Sequence, residues 1–264
     1  MSIYVMSDIH GQYKLYRDML DKINFSDNDT LYILGDMIDR GPEIDKLLLD
    51  IIERPNVICL VGNHEIMMYS HYIKDYINDY WFNGNNGGRI TKQQLNKLSD
   101  ADNKRIEDYL FNKTYLQVEL ELNNKLYLLS HSFFIEGKGT IQDFKPYYNG
   151  IEYYENDALI TVWYSPWRSM EYKPKEKYQD GRIHIIGHVP VQSARQDDNY
   201  MASWNREEPP HKNTNLLEPL ICDNIINIDG GCARAGKNYG LLCINLTKYA
   251  NCEKEWYCGL EKSS

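Results

Sequence analysis

Short apolar runs recur through the first third of the chain, separated by segments with helical spacing. The runs are Ile3–Met6, Leu31–Leu34 and Val57–Val61. Apolar runs of this length bounded by turn residues predict buried strands. Between them, Leu15, Met19, Leu20 and Ile23 mark a helix over Tyr13–Ile23. Leu47, Leu48, Ile51 and Ile52 mark a second over Ile44–Arg54, stopped at Pro55. A third is expected over Glu65–Tyr80. This β-α-β-α-β-α order predicts a parallel sheet with right-handed crossovers, whose binding sites form at the carboxyl ends of the strands.

The pattern changes in the middle. Asn83–Arg89 is rich in Gly and Asn and reads as a loop, followed by helical patterns over Thr91–Leu98 and Asn103–Phe111. Tyr115–Leu122 and Lys125–Ser130 alternate and predict a hairpin turning at Asn123-Asn124. Further strands are expected over Arg182–Ile186, Ile225–Ile228 and Gly240–Asn245, in a second, mostly antiparallel sheet. Glu136–Asn156 and Asp197–Pro219 are polar and read as long loops. No repeat or linker divides the chain, so one layered α/β domain over residues 1–264 is expected.

Composition narrows the classes. The chain has 264 residues, 42% of them apolar, enough for a sizeable core. A net charge of −9 argues against broad binding of nucleic acid through its phosphates. No apolar run is long enough to span a membrane. The N-terminus enters a strand with neither a basic segment nor an apolar signal region, so a cytoplasmic protein is expected. None of the six cysteines forms a C-x-x-C pair. Cys59 and Cys243 sit in apolar runs, as buried thiols do. Cys252 and Cys258 are close enough in sequence to pair, but a disulfide is not expected in that compartment.

The chemistry lies where the strands stop. The runs lead into Asp8-Ile9-His10-Gly11, Gly35-Asp36-Met37-Ile38-Asp39-Arg40-Gly41 and Gly62-Asn63-His64-Glu65. Two later strands end at Ser130-His131 and Gly187-His188. Asp8 and His10 alternate onto one side of an extended segment and can share a metal. The two oxygens of Asp36 can bridge two cations, Asn63 offers a carbonyl oxygen, and His131 and His188 offer ring nitrogens. Oxygen and nitrogen donors without Cys suit Mn, Fe or Zn. Six such ligands, one of them bridging, suit two metal ions about 4 Å apart, an arrangement that activates water and clamps phosphoryl oxygens.

Those blocks, with Gly187-His188-Val189-Pro190, resemble the calcineurin-like metallophosphoesterases, and within them the phosphoprotein phosphatases of compact bacterial and phage serine/threonine type. Asn86-Gly87-Gly88 and Asn227-Ile228-Asp229-Gly230-Gly231 are similar to that branch too. The resemblance implies a four-layer αββα sandwich with two mixed β-sheets and a metal site at the carboxyl ends of strands. It implies that Asp8, His10 and Asp36 hold one metal and that Asp36, Asn63, His131 and His188 hold the other. Mn2+ is the expected ion, with Fe or Zn as alternatives. A hydroxide bridging the metals would attack the phosphoryl group directly. His64 would protonate the leaving oxygen, and Asp39 would orient His64 and raise its pKa. Arg40 would grip the phosphate. Arg168 is assigned as a second clamp, with Arg89 as the other candidate for lining the pocket. The expected partner is a phosphorylated protein or peptide, taken by a monomer.

Two departures bear on substrate fit. His131-Ser132-Phe133 stands where compact relatives have His-Ala-Gly, and Val189 stands where they have Thr. Three other readings compete. Bis(5'-nucleosyl)-tetraphosphatases share the fold but typically have Ala at the place of Asp39 and Asp at that of Glu65. Phosphodiesterases usually end the last block in Gly-His-x-His, where this chain has Pro190. A binding module that kept the fold and lost activity tends to lose ligands or the gripping Arg, yet all six ligands, His64 and Arg40 are present.

Overall fold

Strict alternation along the strands of one sheet gives it two buried faces. The computed structural model describes residues 1–73, 80–134, 161–164, 180–196, 217–234 and 238–260. Its strands are β1 (Ile3–Met6), β2 (Thr30–Ile33), β3 (Val57–Cys59), β4 (Gln117–Leu122), β5 (Lys125–Ser130), β6 (Ile183–Ile186), β7 (Leu220–Cys222), β8 (Ile225–Asn227), β9 (Leu241–Asn245) and β10 (Trp256–Gly259). Its helices are α1 (Tyr13–Lys22), α2 (Ile44–Ile52), α3 (Asn63–Ile73), α4 (Gly88–Leu95), α5 (Asp100–Asn112), α6 (Val191–Gln196) and α7 (Leu246–Ala250).

Tyr4 and Met6, Leu31 and Ile33, and Leu241 and Cys243 point to one side of the first sheet. There they pack with Leu15, Tyr16 and Met19 of α1, Leu47, Leu48 and Ile51 of α2, and Ile106 and Leu110 of α5. Val5, Tyr32, Leu242 and Ile244 point to the other side and join Leu129, Ile185 and Ile226 of the second sheet. A strand with period two and both faces covered is apolar throughout. That is why these runs stood out.

The first sheet has the order β10-β9-β1-β2-β3 and the second β4-β5-β6-β8-β7, and both are mixed. The core of the first is parallel, β1 with β2 and β2 with β3. The second sheet is not mostly antiparallel as expected. Its centre is parallel, β5 with β6 and β6 with β8, and only its edges are antiparallel. The long connections between those strands allow the chain to return in the same direction, which a hairpin cannot. Parallel pairing sends His131 and His188 to the same edge of the sheet.

The β4–β5 hairpin turns at Asn123 and Asn124, both left-handed with φ of 51° and 58°, as a two-residue turn of this kind requires. Strands β7 and β10 and helices α6 and α7 were not foreseen, since each is too short or too polar to carry a periodic signal. Helix α4 begins at Gly88, inside the expected loop, after a single 3-10 turn at Gly84–Asn86. The third helix is described from Asn63 to Ile73, and Tyr80 already lies in a turn. The loops expected at 136–156 and at 197–216 lie outside the described residues. All six cysteines are free, with Cys252 exposed. Among the described residues no helix is long and apolar enough to cross a membrane.

Ile33 is fully buried between the first sheet and its helices. Ile33→Ala should cost about 2–5 kcal/mol in urea denaturation. A loss under about 1 kcal/mol would mean that the helical layer does not press on this sheet.

Candidate metal centre

The parallel ladder of the first sheet runs on beyond its strands. Asp8 N–H donates to Gly35 O (3.2 Å), His10 N–H to Asp36 O (2.8 Å) and Gly11 N–H to Met37 O (2.8 Å). The second sheet does the same, with Gly187 N–H on His131 O (2.8 Å). Four strand-end loops are thereby zipped in two pairs, one pair in each sheet. Their backbone is strained. Asp8, His10, Asp36, Asp39, Arg40 and His188 all have left-handed φ, between 48° and 70°. Non-glycine residues rarely adopt this conformation, and such residues cluster at functional sites.

Asp36 sits at the centre. Its Oδ2 lies 3.6 Å from His10 Nε2 and 3.8 Å from His64 Nε2, and its Oδ1 lies 3.5 Å from His131 Nε2. Two donor groups result, His10–Asp36–His64 and Asp36–His131–His188, each with its ligand atoms within 4.8 Å of one another. Asn63 Oδ1 lies 3.1 Å from His131 Nε2 and 3.0 Å from His188 Nδ1. Backbone carbonyls fix the tautomers of two ligands. His10 Nδ1–H donates to Ile38 O (2.8 Å) and His131 Nδ1–H to Leu34 O (2.7 Å), so each Nε2 lone pair faces the centre.

Charge in this cluster calls for cations. Burial, reinforced by Asp8 and Glu65, pushes the Asp36 carboxyl well above the usual carboxylate range. Burial pushes Asp229, beneath the same loops and facing Asp8, in the same direction. Burial also holds the His10 imidazole well below its ordinary value, in the neutral form that ligates. Oxygen and neutral nitrogen donors around crowded carboxylates fit two divalent ions.

Not every expected ligand stands in a donor group. Asp8 Oδ2 accepts from the Ser7 hydroxyl and from His188 N–H (3.0 Å), stitching the two sheets together, and Asp8 belongs to neither group. His64 enters one group through Nε2, while its Nδ1 donates to Asp39 Oδ2 at 2.6 Å. Asp39 therefore holds the His64 ring through Nδ1. The expected rise in the His64 pKa is not found, because burial, Arg40 and His131 hold it well below its ordinary value. Arg40 is exposed, and its Nη1 donates to His10 Nε2 at 2.8 Å, within reach of anything bound there. Arg168 lies outside the described residues. Arg89 is exposed and turns back to donate to Phe82 O (3.4 Å).

Sequence reasoning quoted Glu65 without giving it a job. Its Oε2 accepts from Gly62 N–H and Asp36 N–H, both at 2.8 Å, and its Oε1 from Met37 N–H (2.8 Å) and Ile38 N–H (3.2 Å). The Gly62 bond is half of a capping box, in which a Glu in the first helical turn reaches back to the residue before the helix. The other three tie helix α3 to the Asp36 loop. Gly62 is required there by close approach, since a Cβ would meet Asp36 Oδ1 at 2.0 Å.

A sheet-edge cluster able to hold cations thus lies beside a guanidinium. The chain belongs to the calcineurin-like phosphoesterases, whose family model matches residues 1–224. A symmetrical bis(5'-nucleosyl)-tetraphosphatase of Wigglesworthia glossinidia brevipalpis is 45% identical over 76 residues, 28% of each chain. Serine/threonine-protein phosphatase 2 of Salmonella typhimurium is 33% identical over 135 residues, 49% of this chain and 57% of that one. The chain thus spans under two thirds of the length of these relatives. Among solved structures, a protein serine/threonine phosphatase from Saccharomyces cerevisiae superposes with a TM-score of 0.58 at 12% identity, over 100% of this chain and 81% of that one. A cold-active protein-tyrosine phosphatase of a Shewanella species gives 0.54 at 16%, over 93% and 76%. At such identities the likeness shows the fold alone.

Glu65→Gln puts an amide NH2 against backbone donors. It should cost about 3 kcal/mol of stability and lower the metal content per chain, measured by denaturation and elemental analysis. Stability unchanged within error would mean that the four bonds are dispensable. A second expectation concerns pH. Burial pushes the Asp39 carboxyl up to about 7, against hydrogen bonds from Thr91 and Trp81. A folded value above the unfolded one means that the group's stabilisation is present below about pH 4 and is lost as pH rises through about 7. In metal-stripped protein, Asp39→Asn should flatten the fall in stability across that window. An unaltered slope would place the titration on another group.

Proposed function

We propose that the chain is a metal-dependent phosphomonoesterase acting on phosphoserine or phosphothreonine in a protein or peptide. The observation that carries this reading is the buried Asp39–His64 pair beside Arg40. An alkoxide from serine or threonine is a poor leaving group and must be protonated as the phosphorus–oxygen bond breaks. A nucleoside diphosphate leaves readily without an acid. A dedicated proton donor therefore has most to contribute when the ester is an alkyl monoester.

Two divalent cations, Mn2+ in this proposal with Fe or Zn as alternatives, would supply Lewis acidity to water and to the phosphoryl oxygens. His10, Asp36, Asn63, His131 and His188 are the side chains grouped to hold them, with Asp8 alongside. The chain's own residues do the rest. Arg40 presents a planar fork that matches two phosphate oxygens. The Nδ1–H of His64 is committed to Asp39, so a proton for the leaving oxygen must come from Nε2, which carries one only when the ring is an imidazolium. Trp163 lies edge-on to His188 and Tyr80 lies against Trp163, so these two rings would meet the rest of the substrate.

Relatives named bis(5'-nucleosyl)-tetraphosphatase favour a second reading, hydrolysis of a dinucleoside polyphosphate. A panel after metal exchange separates the two, with a phosphothreonine peptide, a phosphotyrosine peptide, diadenosine tetraphosphate and a phosphodiester compared side by side. The phosphothreonine peptide should have the highest kcat/KM. Preference for the dinucleotide would overturn the proposal. On the peptide, His64→Asn should lower kcat by about 10²–10⁴ with metal content unchanged.

A further inference from the structure

The loop that carries Asp39 and Arg40 is gripped from outside by one short stretch of chain, Trp81 to Gln94. Trp81 Nε1–H lies 3.1 Å from Asp39 Oδ1 and 2.9 Å from Oδ2 and donates to both. Asp39 N–H donates to Thr91 Oγ1 at 3.0 Å. The Thr91 hydroxyl proton in turn goes to Asp39 Oδ1. Gln94 Nε2–H donates to Gly41 O (3.0 Å), and its Oε1 accepts from Ile44 N–H (2.6 Å), capping α2 where Glu43 supplies no side-chain cap. Asn85 O accepts from Arg40 Nε–H at 3.2 Å. Gly87, at φ 92°, brings bare backbone against Arg40, and a Cβ there would lie 2.5 Å from Arg40 N.

Thr91 is the informative member of this set. It is fully buried, and its single hydroxyl holds both the backbone and the side chain of Asp39. Accepting from Asp39 N–H leaves the hydroxyl hydrogen free to point only at the carboxylate. With Oδ1 occupied by Thr91, the carboxylate cannot rotate, and Oδ2 faces His64 Nδ1. Asp39 itself sits at a left-handed φ of 68°, a conformation that needs outside support.

We infer that Thr91 is a positioning residue for proton donation: it locks Asp39 so that His64 Nε2 is aimed at the leaving oxygen. The inference deepens the proposed function and rests on His64 acting as the acid. The proton moves from Nε2 of the His64 imidazolium to the ester oxygen as the phosphorus–oxygen bond breaks, which leaves the neutral ring with its Nδ1–H still on Asp39, and Thr91 exchanges no proton.

A positioning role predicts dependence on the leaving group, which general loosening of the fold does not. Thr91→Val keeps the shape and removes the hydroxyl, whereas Thr91→Ser keeps the hydroxyl. On a phosphothreonine peptide, Thr91→Val should lower kcat by about tenfold or more, with KM and metal content within about twofold. On p-nitrophenyl phosphate, whose leaving group needs no proton, the same variant should stay within about twofold of the unmodified protein. Thr91→Ser should recover most of the loss on the peptide. Trp81→Phe, which keeps the ring and removes the N–H, serves where Thr91→Val fails to fold, and it should show the same split. Equal losses on both substrates, no loss on the peptide, or no recovery by Thr91→Ser would overturn the role of Thr91. His64→Asn measured in parallel keeps the two claims apart. If His64→Asn shows the leaving-group split and Thr91→Val does not, only this inference fails. If His64→Asn shows no split, the reading of His64 as acid fails, and this inference fails with it.

Discussion

Four backbone N–H groups from two loops converge on the carboxylate of Glu65, and the placement of the metal donors depends on that convergence. Asp36 can reach toward both sheets only because its own amide is fixed from below. Asn63 and His64 are held in register with it because the same carboxylate anchors the residue before their helix. An acceptor buried this deeply is costly unless every lone pair is used. Here both oxygens take two donors each, and these bonds oppose the rise in pKa that burial imposes on the carboxyl.

The arrangement is layered outward from that carboxylate. Glu65 sets the loops and the loops set the donors. A second frame, made of Trp81, Thr91 and Gln94, sets the residues that handle substrate. The two frames meet at the His64–Asp39 hydrogen bond. Metal binding and proton donation are therefore supported by different parts of the chain. Strained φ angles at six loop residues are tolerated because both frames over-determine them.

Much of this was legible in the residues, and what was missed has physical causes. The three parallel strands were readable because burial on both faces makes them continuously apolar, and their ligands because the turn residues after them are chemically distinctive. Asp8, His10, Asp36, Asn63, His131 and His188 were named as donors before any coordinates, yet Asp8 stands in neither donor group. The direction of the second sheet was not readable, because a hairpin pattern at β4–β5 says nothing about strands joined by long connections. The His64 pKa was misjudged because a neighbouring carboxylate was weighed without the burial that both groups share. Thr91 and Gln94 carried no signal of their own. They are ordinary polar residues on a short helix, and only the fold brings them against residues 39–44.

The pairing of β1 with β9 joins residue 4 to residue 245. Strand β1 also carries the loop that holds Asp8 and His10, so this edge of the site is unfinished until β9 has been synthesised. Contacts of such sequence separation slow folding and leave strand edges exposed meanwhile. A nascent chain that has emerged through β3 holds Asp36, Asn63 and His64 but has one side of β1 open to solvent. Loss of β9 would therefore unpair one edge of β1, a strand far from it in sequence, and loosen the loop that carries Asp8 and His10.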